Sequence, residues 1–424
     1  MTAFSEKREH SIILAVTIGS ILEWYEIYLF VFWAPIISKL FFNHPSETVN
    51  LIGTFFLFAV GFLARPFGGI IFGRIGDLLG RKKSLILSIV ALAIPSFVMG
   101  MLPTYETIGL AAPLIFAITR LLQALPAGGE LPGAFCYLYE STHMHHRRYM
   151  TSWGAVGNQI GIVISILECF LLELLLTPEQ MISWGWRFSF IFGGVIALFG
   201  FCLRYRLYET PLYKDMERHH HVVRQPILKV VNQYKKNILM GIGFCLSNSV
   251  GFYLISVLFP ICFSTILNIQ YHENLVISLC IMVLTTLPLP FIGMLGDRYS
   301  NKKILIGCSL VMIVLLYPLY MFIQNNAVGL SLISAIVFIL AFTCLTALIP
   351  YRFAALFPTP VRYTCVGISY NLVDGILGGF SPALALYVLN RTQSEAICYW
   401  MVFVSALISL FSFFKIKEEK EHLT

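Results

Sequence analysis

Gly76-Asp77-Leu78-Leu79-Gly80-Arg81-Lys82-Lys83 is a short basic loop, bounded by glycine, between two stretches far too apolar for a water-soluble fold. A near copy stands at Gly296-Asp297-Arg298-Tyr299-Ser300-Asn301-Lys302-Lys303, about 220 residues further on. Glycines permit the close approach and unusual backbone that a turn between two helices at a membrane surface needs. Asp77 is placed to accept from the N-terminus of a neighbouring helix, and Arg81, Lys82 and Lys83 sit where anionic headgroups favour positive charge. One such loop is an ordinary basic connection; two copies in equivalent surroundings predict a membrane chain of two similar halves.

Composition agrees. The chain has 424 residues, 58% of them hydrophobic and only 12% charged, with a mean hydropathy of +0.79. Those values exclude a soluble fold with a polar surface and predict a polytopic membrane protein. The ten cysteines are scattered singly with no CxxC pair, so they read as small apolar packing residues and not as disulfides or a metal site. A net charge of +7 would suggest nucleic acid in a soluble protein; here its distribution along the chain carries the information, and no nucleic-acid partner is expected.

At about 20 apolar residues per crossing, twelve spans fit near 11–38, 50–73, 84–102, 107–136, 150–175, 184–205, 236–264, 274–297, 302–322, 329–353, 362–390 and 395–416. The first follows a polar stretch and carries Glu23 and Glu26 with no small-residue cleavage pattern, so it is a retained helix and not a signal peptide. Lys and Arg fall mainly in the even-numbered connections and at their edges: Arg74, Arg81 to Lys83, Arg147, Arg148, the cluster from Arg204 to Lys236, Arg298, Lys302, Lys303, Arg352 and Arg362. The odd-numbered ones hold little beyond Lys39, Arg187 and Arg391. This asymmetry predicts both termini in the cytoplasm of a multi-pass inner (plasma) membrane protein of bacterial type. The expected organisation is a six-helix bundle over 1–205, a cytoplasmic linker over 206–235, and a second six-helix bundle over 236–424 with a short tail. The linker run His219-His220-His221 is either a metal ligand set or, as is usual for a solvated polar run, neither ligand nor structure.

The chain resembles the major facilitator superfamily, and within it the metabolite:proton symporter branch that includes proline/betaine, α-ketoglutarate, citrate and shikimate carriers. The residues that carry the resemblance are Gly19-Ser20 with Glu23-Trp24-Tyr25-Glu26, Arg65-Pro66-Phe67-Gly68, Leu102-Pro103-Thr104-Tyr105, Arg120-Leu121-Leu122-Gln123 with Gly128-Gly129-Glu130, Trp184-Gly185-Trp186-Arg187 and Glu209-Thr210-Pro211. In the second half they are Leu356-Phe357-Pro358-Thr359, Val361-Arg362-Tyr363-Thr364, Ser369-Tyr370-Asn371 and Gly378-Gly379. The resemblance implies an all-α membrane protein with twelve transmembrane helices in two pseudo-symmetric six-helix bundles, the major facilitator fold. It also implies transport of a small solute by alternating access, coupled to protons. The chain departs from the branch pattern at Glu26, where Asp is usual, at Ala124, where Gly is usual, and at Ala355, where an acid is common; Asp374 is an acid where a neutral residue is expected.

An ionisable side chain at membrane depth costs at least ~2.5–3.5 kcal/mol, so each must face a partner or a wet cavity. Glu23, Glu26, Arg120, Glu130 and Asp374 are such residues. Arg120 can clamp a carboxylate through two parallel hydrogen bonds, and the resemblance implies a part in substrate and proton handling; the alternative is a permanent pair with Glu23 or Glu26. Glu26, Glu23 and Glu130 are the candidates for the coupling proton, Glu26 first, with Glu130 read alternatively as part of a helix–helix network. Asp374 is a second proton site, a contact for a cationic substrate group, or a partner for Asn371. Trp24, Tyr28 and Tyr253 offer ring faces for an ammonium group or else simply pack. With Gln123, Asn371, Arg120 and Asp374 they make the candidate substrate contacts. Asp77, Arg81, Glu140, Arg148 and Asp297 form the expected inner gate, weaker in the second half because Ala355 replaces an acid.

These readings converge on a secondary transporter and not an enzyme, with no cofactor, no metal and no obligatory protein partner; its partners are a small-molecule substrate, the proton and the lipid bilayer. One cation among several carboxylates suits a zwitterion such as proline or a betaine better than a tricarboxylate. The alternatives are a carboxylate carrier of the same fold (citrate, α-ketoglutarate or siderophore-type), importing or exporting, and a non-transporting membrane sensor. The short stretch after residue 416 predicts no coiled-coil osmotic control.

Overall fold

The computed structural model describes residues 2–43, 45–223, 227–253, 255–256, 271–325, 327–379, 381, 384, 388, 391 and 396–416. Among them the long helices are α1 (Thr2–Phe41), α2 (Glu47–Leu79), α3 (Arg81–Met101), α4 (Ala111–Glu140), α5 (Arg147–Leu175) and α6 (Trp186–Tyr205), followed by a short helix, Pro211–Arg218. Then come α7 (Ile227–Tyr253), α8 (Tyr271–Thr286, resuming as Leu289–Arg298), α9 (Asn301–Gln324), α10 (Val328–Leu356), α11 (Arg362–Asn371, widening into a π-helical stretch Leu372–Gly378) and α12 (Ala396–Phe414). Among the described residues eight helices are long and apolar enough to cross a membrane. Where the predicted spans are described they are helical, with two differences: α1 runs through the polar start of the chain, and α8 breaks around Pro288, whose ring cannot continue the hydrogen-bond ladder. The later parts of the expected spans 236–264 and 362–390 lie largely outside the described residues.

Lipid tails are as apolar as leucine, so helices in a bilayer are held by close packing and polar contacts instead of by expulsion of water. The α2–α4 contact shows how. A side chain at Gly68 would run into the Leu125 carbonyl, and one at Gly128 into the Arg65 carbonyl, so the two backbones touch. Large apolar side chains such as Phe56, Phe199, Val314 and Trp400 point outward, as a lipid-facing surface requires.

The two halves meet in a pseudo-symmetric way: α2 packs on α11, and α8 packs on α5. At the end of the bundle that carries Gly80, Ser141, Arg206, Ser300 and Phe357, here called the basic face, the repeated loops make equivalent links. Asp77 accepts from the backbone N–H groups of Tyr363 (3.2 Å) and Thr364 (2.9 Å) and from the Thr364 hydroxyl (2.7 Å), capping α11. Asp297 accepts from the N–H groups of Arg148 (3.0 Å) and Tyr149 (3.1 Å), capping α5. Each aspartate therefore places a negative charge on the positive end of a helix from the other half. Gly80, with φ of 107°, is where only glycine is unstrained. There the Glu209 carboxylate accepts from the Arg81 and Lys82 N–H groups at 3.0 and 3.2 Å, capping α3. Burial holds the Glu209 carboxyl above the ordinary carboxylate range despite those donors.

Candidate functional site

Halfway along the bundle, α1, α2, α4 and α11 bring five ionisable side chains together, none more than 6% exposed. Arg65 on α2 is ion-paired with Glu23 on α1 and lies 3.5 Å from Asp374 in the π-helical part of α11. Its guanidinium also sits 5.4 Å from the Phe62 ring centre. Asp374 accepts from the Ser249 hydroxyl of α7 at 3.1 Å. Beside this group, Arg120 donates to the Gln123 carbonyl oxygen at 2.5 Å and stacks 4.6 Å from the Phe30 ring centre. The Gln123 amide in turn donates to Glu26 Oε2 at 2.7 Å and to Ser96 Oγ at 3.1 Å. Glu26 Oε1 has no hydrogen-bond partner among the described residues.

Glu23, Glu26, Arg65, Arg120 and Gln123 line a void of about 20 Å³, space for a single water molecule. The three carboxyls and two guanidiniums leave one negative charge in excess when all are ionised. On the wall toward α7, Trp24 and Tyr28 pack around Phe252, with ring centres 5.1 and 6.4 Å from it.

Several sequence alternatives are narrowed by the contacts. Glu130 does not join this group and matches its alternative reading, a helix–helix network: it is ion-paired with Arg204 and accepts from Ser88 Oγ at 2.5 Å, while Arg204 also donates to the carbonyls of Ala15, Val16 and Leu85. Arg204, counted by sequence with the basic cluster that runs to Lys236, is fully buried in α6. The partner of Glu23 is Arg65, not Arg120. Asp374 pairs with Arg65 and Ser249 and not with Asn371, whose amide holds the Gly128 and Gly367 carbonyls at 2.6 and 2.7 Å and so ties α11 to α4. The Tyr253 side chain lies outside the described residues.

At the basic face, Glu140 pairs with Arg81 (2.9 Å) and with Arg362 (2.5 Å), and accepts from Thr210 (2.8 Å). Arg362, from the second half, thus joins Glu140, although it is not among the expected gate residues. Arg81 also donates to the Thr359 carbonyl at 2.6 Å and lies 3.3 Å from Asp77. Arg148 Nη1 stands 3.8 Å from Asp297, with its guanidinium 4.5 Å from the Tyr351 ring centre. In the repeat, Asn301 stands where Arg81 does and Ala355 where the branch has an acid, so one basic-face carboxylate cluster has no charged counterpart there.

Arg65, Arg204, Arg362 and Glu168 are the ionisable residues that sequence reasoning passed over. Three lie inside or at the edge of apolar runs, and counting 1.5 Å per residue from the basic loop places Arg65 at membrane depth without any structure.

The Glu130–Arg204 pair has a testable energetic role. Removing one partner of a buried pair strands the other charge at a cost of about 3–5 kcal/mol, whereas replacing both by apolar groups is often neutral. Arg204→Met should therefore lower the thermal unfolding midpoint in detergent sharply, and Glu130→Leu with Arg204→Met should recover most of the loss. A double variant as unstable as the single one would contradict this.

The family model described as "Sugar (and other) transporter" matches residues 12–237, and one described as "MFS/sugar transport protein" matches residues 133–393. The chain is 32% identical to the citrate-proton symporter of Klebsiella pneumoniae, over 93% of this chain and 88% of that one. It is 27% identical to the proline/betaine transporter of Escherichia coli strain K12, over 99% and 85%. Its fold is similar to the solved proton:xylose symporter XylE bound to 6-bromo-6-deoxy-D-glucose, with a TM-score of 0.82 at 17% identity, covering 97% of this chain and 96% of that one.

Proposed function

The chain belongs to the major facilitator superfamily, in its sugar (and other) transporter family of proton-coupled solute carriers, and from that premise we propose that it imports a small zwitterion such as proline or a betaine together with a proton. The observation that carries this reading is the charge count of the central cluster. Arg65 is committed to two carboxylates, Glu23 and Asp374, whereas Arg120 is held by the neutral Gln123 side chain, so Arg120 is the cation assigned to a substrate carboxylate and one carboxyl is in excess to take up a proton. A zwitterion adds no net charge to such a site. A tricarboxylate would bring three negative charges to two arginines, one of them already neutralised by carboxylates.

Glu26 is the coupling carboxyl in this reading. Its Oε2 is held by Gln123, one turn from Arg120 on α4, and its Oε1 is open to a proton, so a substrate that draws Arg120 away changes the field on Glu26 directly. The rings of Trp24, Tyr28 and Phe252 stand on the α1–α7 side to receive an ammonium group, where the Trp24 N–H also lacks a partner among the described residues. Asp77, Arg81, Glu140 and Arg362, with Asp297 and Arg148, act as the gate on the basic face, which the positive-inside asymmetry assigns to the cytoplasm. Closed there, the carrier awaits substrate from the other side.

The relative 32% identical to this chain is named for citrate, and that supports a second reading, carboxylate transport. Thermal unfolding of the purified protein with proline, glycine betaine, α-ketoglutarate or citrate separates the two. A ligand at a hundred times its Kd adds about 2.7 kcal/mol of stability, so the cognate class should raise the midpoint measurably. Stabilisation by citrate alone would overturn the zwitterion assignment.

A further inference from the structure

A further carboxyl stands beside the coupling site, outside everything assigned above. Glu168 on α5 contacts the hydroxyl of Tyr25, the residue next to Glu26 on α1. The same hydroxyl lies 2.8 Å from the Ser189 carbonyl of α6. Tyr25 is fully buried, Glu168 is partly exposed, and Glu168 Oε1 has no hydrogen-bond partner among the described residues. One α6 turn beyond Ser189, Gly193 leaves its backbone against both residues of α1: a Cβ there would collide with Glu26 Oε1 and come within 3.1 Å of the Tyr25 ring.

The hydrogen count is informative. Tyr25 brings one hydroxyl proton to two acceptors, and a backbone carbonyl can only accept. Both contacts are filled when the tyrosine proton goes to Ser189 and Glu168 supplies its own to the tyrosine oxygen. An ionised Glu168 instead competes with Ser189 for the one proton and releases α6 from α1.

Position matters equally. Glu168 lies 21 residues along α5 from Arg147 at the basic face, roughly 30 Å at 1.5 Å per residue, and so faces the opposite side of the membrane. The titratable groups around it are Tyr25 and Glu26 on α1, and Cys169 and Glu173 on its own helix; α6 contributes the turn from Ser189 to Gly193. Glu168 and Glu26 repel when both are ionised.

We propose that Glu168 is a second proton-binding site, reached from the face opposite the termini, whose protonation latches α1 to α5 and α6 through Tyr25 and thereby conditions Glu26. Protonation is a simple transfer: a proton from the aqueous phase bonds to a Glu168 carboxylate oxygen, the new O–H donates to Tyr25 Oη, and the tyrosine O–H donates to Ser189 O. Glu168 is a positioning residue for proton coupling, not a substrate contact. This rests on the reading of Glu26 as the coupling carboxyl.

The test uses the full chain in liposomes and has two readouts. In pH-difference infrared spectra, a protonated-carboxyl carbonyl band should be present in wild type and in Glu26→Gln, be lost in Glu168→Gln, and shift in Tyr25→Phe. In transport, Glu168→Gln should keep solute exchange within about twofold but flatten the dependence of KM on external pH and reduce proton-driven accumulation tenfold or more. An infrared spectrum unchanged by Glu168→Gln, or an unchanged pH profile in both Glu168→Gln and Tyr25→Phe, overturns the proposal. Failure of the Glu26 reading would show separately, as full accumulation in Glu26→Gln.

Discussion

Arg65→Met should abolish proton-driven accumulation while leaving protein in the membrane. Arg65 is the cation that faces Glu23 from the first half and Asp374 from the second, and its loss strands two carboxyls 1% and 4% exposed. An uncompensated buried charge costs about 3–5 kcal/mol, equivalent to a hundred- to several-thousand-fold in the population of the working arrangement at about 1.4 kcal/mol per factor of ten. Arg65→Lys should recover little, because a point charge on a flexible stem does not reproduce the planar fork that reaches both carboxylates. A double-mutant cycle locates the coupling: Arg65→Met with Glu23→Gln should be less damaging than the sum of the single changes. The measurement is initial uptake rate, normalised to folded protein. Strict additivity with Glu23→Gln would mean that the contact contributes nothing.

Glu140→Ala should open the basic face. Glu140 accepts from Arg81, Arg362 and Thr210, joining the first repeated loop, the second half and the start of the short helix Pro211–Arg218. Removing it leaves two arginines facing each other with no carboxylate between them. Moving a two-state equilibrium from 99:1 to 1:99 takes about 5.5 kcal/mol, within reach of one stranded pair plus its repulsion. Spin labels at Lys83 and Lys303, both exposed and in the two copies of the loop, should report a longer distance in Glu140→Ala than in wild type by electron–electron resonance. Asp297→Ala should open the face less, since it gives up two backbone contacts and an arginine 3.8 Å away. An unchanged distance in Glu140→Ala would remove that cluster from the gate.

Much of this architecture is written openly in the chain. The repeated loop from Gly76 to Lys83 predicts two halves, and the structure gives its two aspartates matched cross-links to the opposite halves. Glu23, Glu26, Arg120 and Asp374 are conspicuous because each breaks an apolar run, and the structure brings them into one region. What the sequence does not disclose is helix rotation, which decides partners. Glu130 and Arg204 are far apart in the chain and each has several conceivable counterparts; only the packing of α4 and α6 on α3 and on the start of α1 joins them. Arg65 was hidden differently, inside a run that reads as a family signature, so its charge was passed over although its depth could be counted. Glu168 sits between Leu167 and Cys169 in a span that otherwise looks like lipid-facing helix. Asn371 reads from sequence as a ligand contact or a partner for Asp374; the packing that gives its amide nitrogen to two glycine carbonyls is not visible there.

The central claim is that Glu26 couples the uptake of a zwitterion to a proton. The direct test is accumulation of labelled proline, glycine betaine, α-ketoglutarate and citrate in proteoliposomes under an inward proton gradient, with and without a protonophore, for wild type and Glu26→Gln. Proline or glycine betaine should accumulate in the wild type, collapse with the protonophore, and fail to accumulate in Glu26→Gln while exchange down a solute gradient persists. Gradient-driven accumulation that survives in Glu26→Gln, or that is confined to citrate or α-ketoglutarate, would contradict the account.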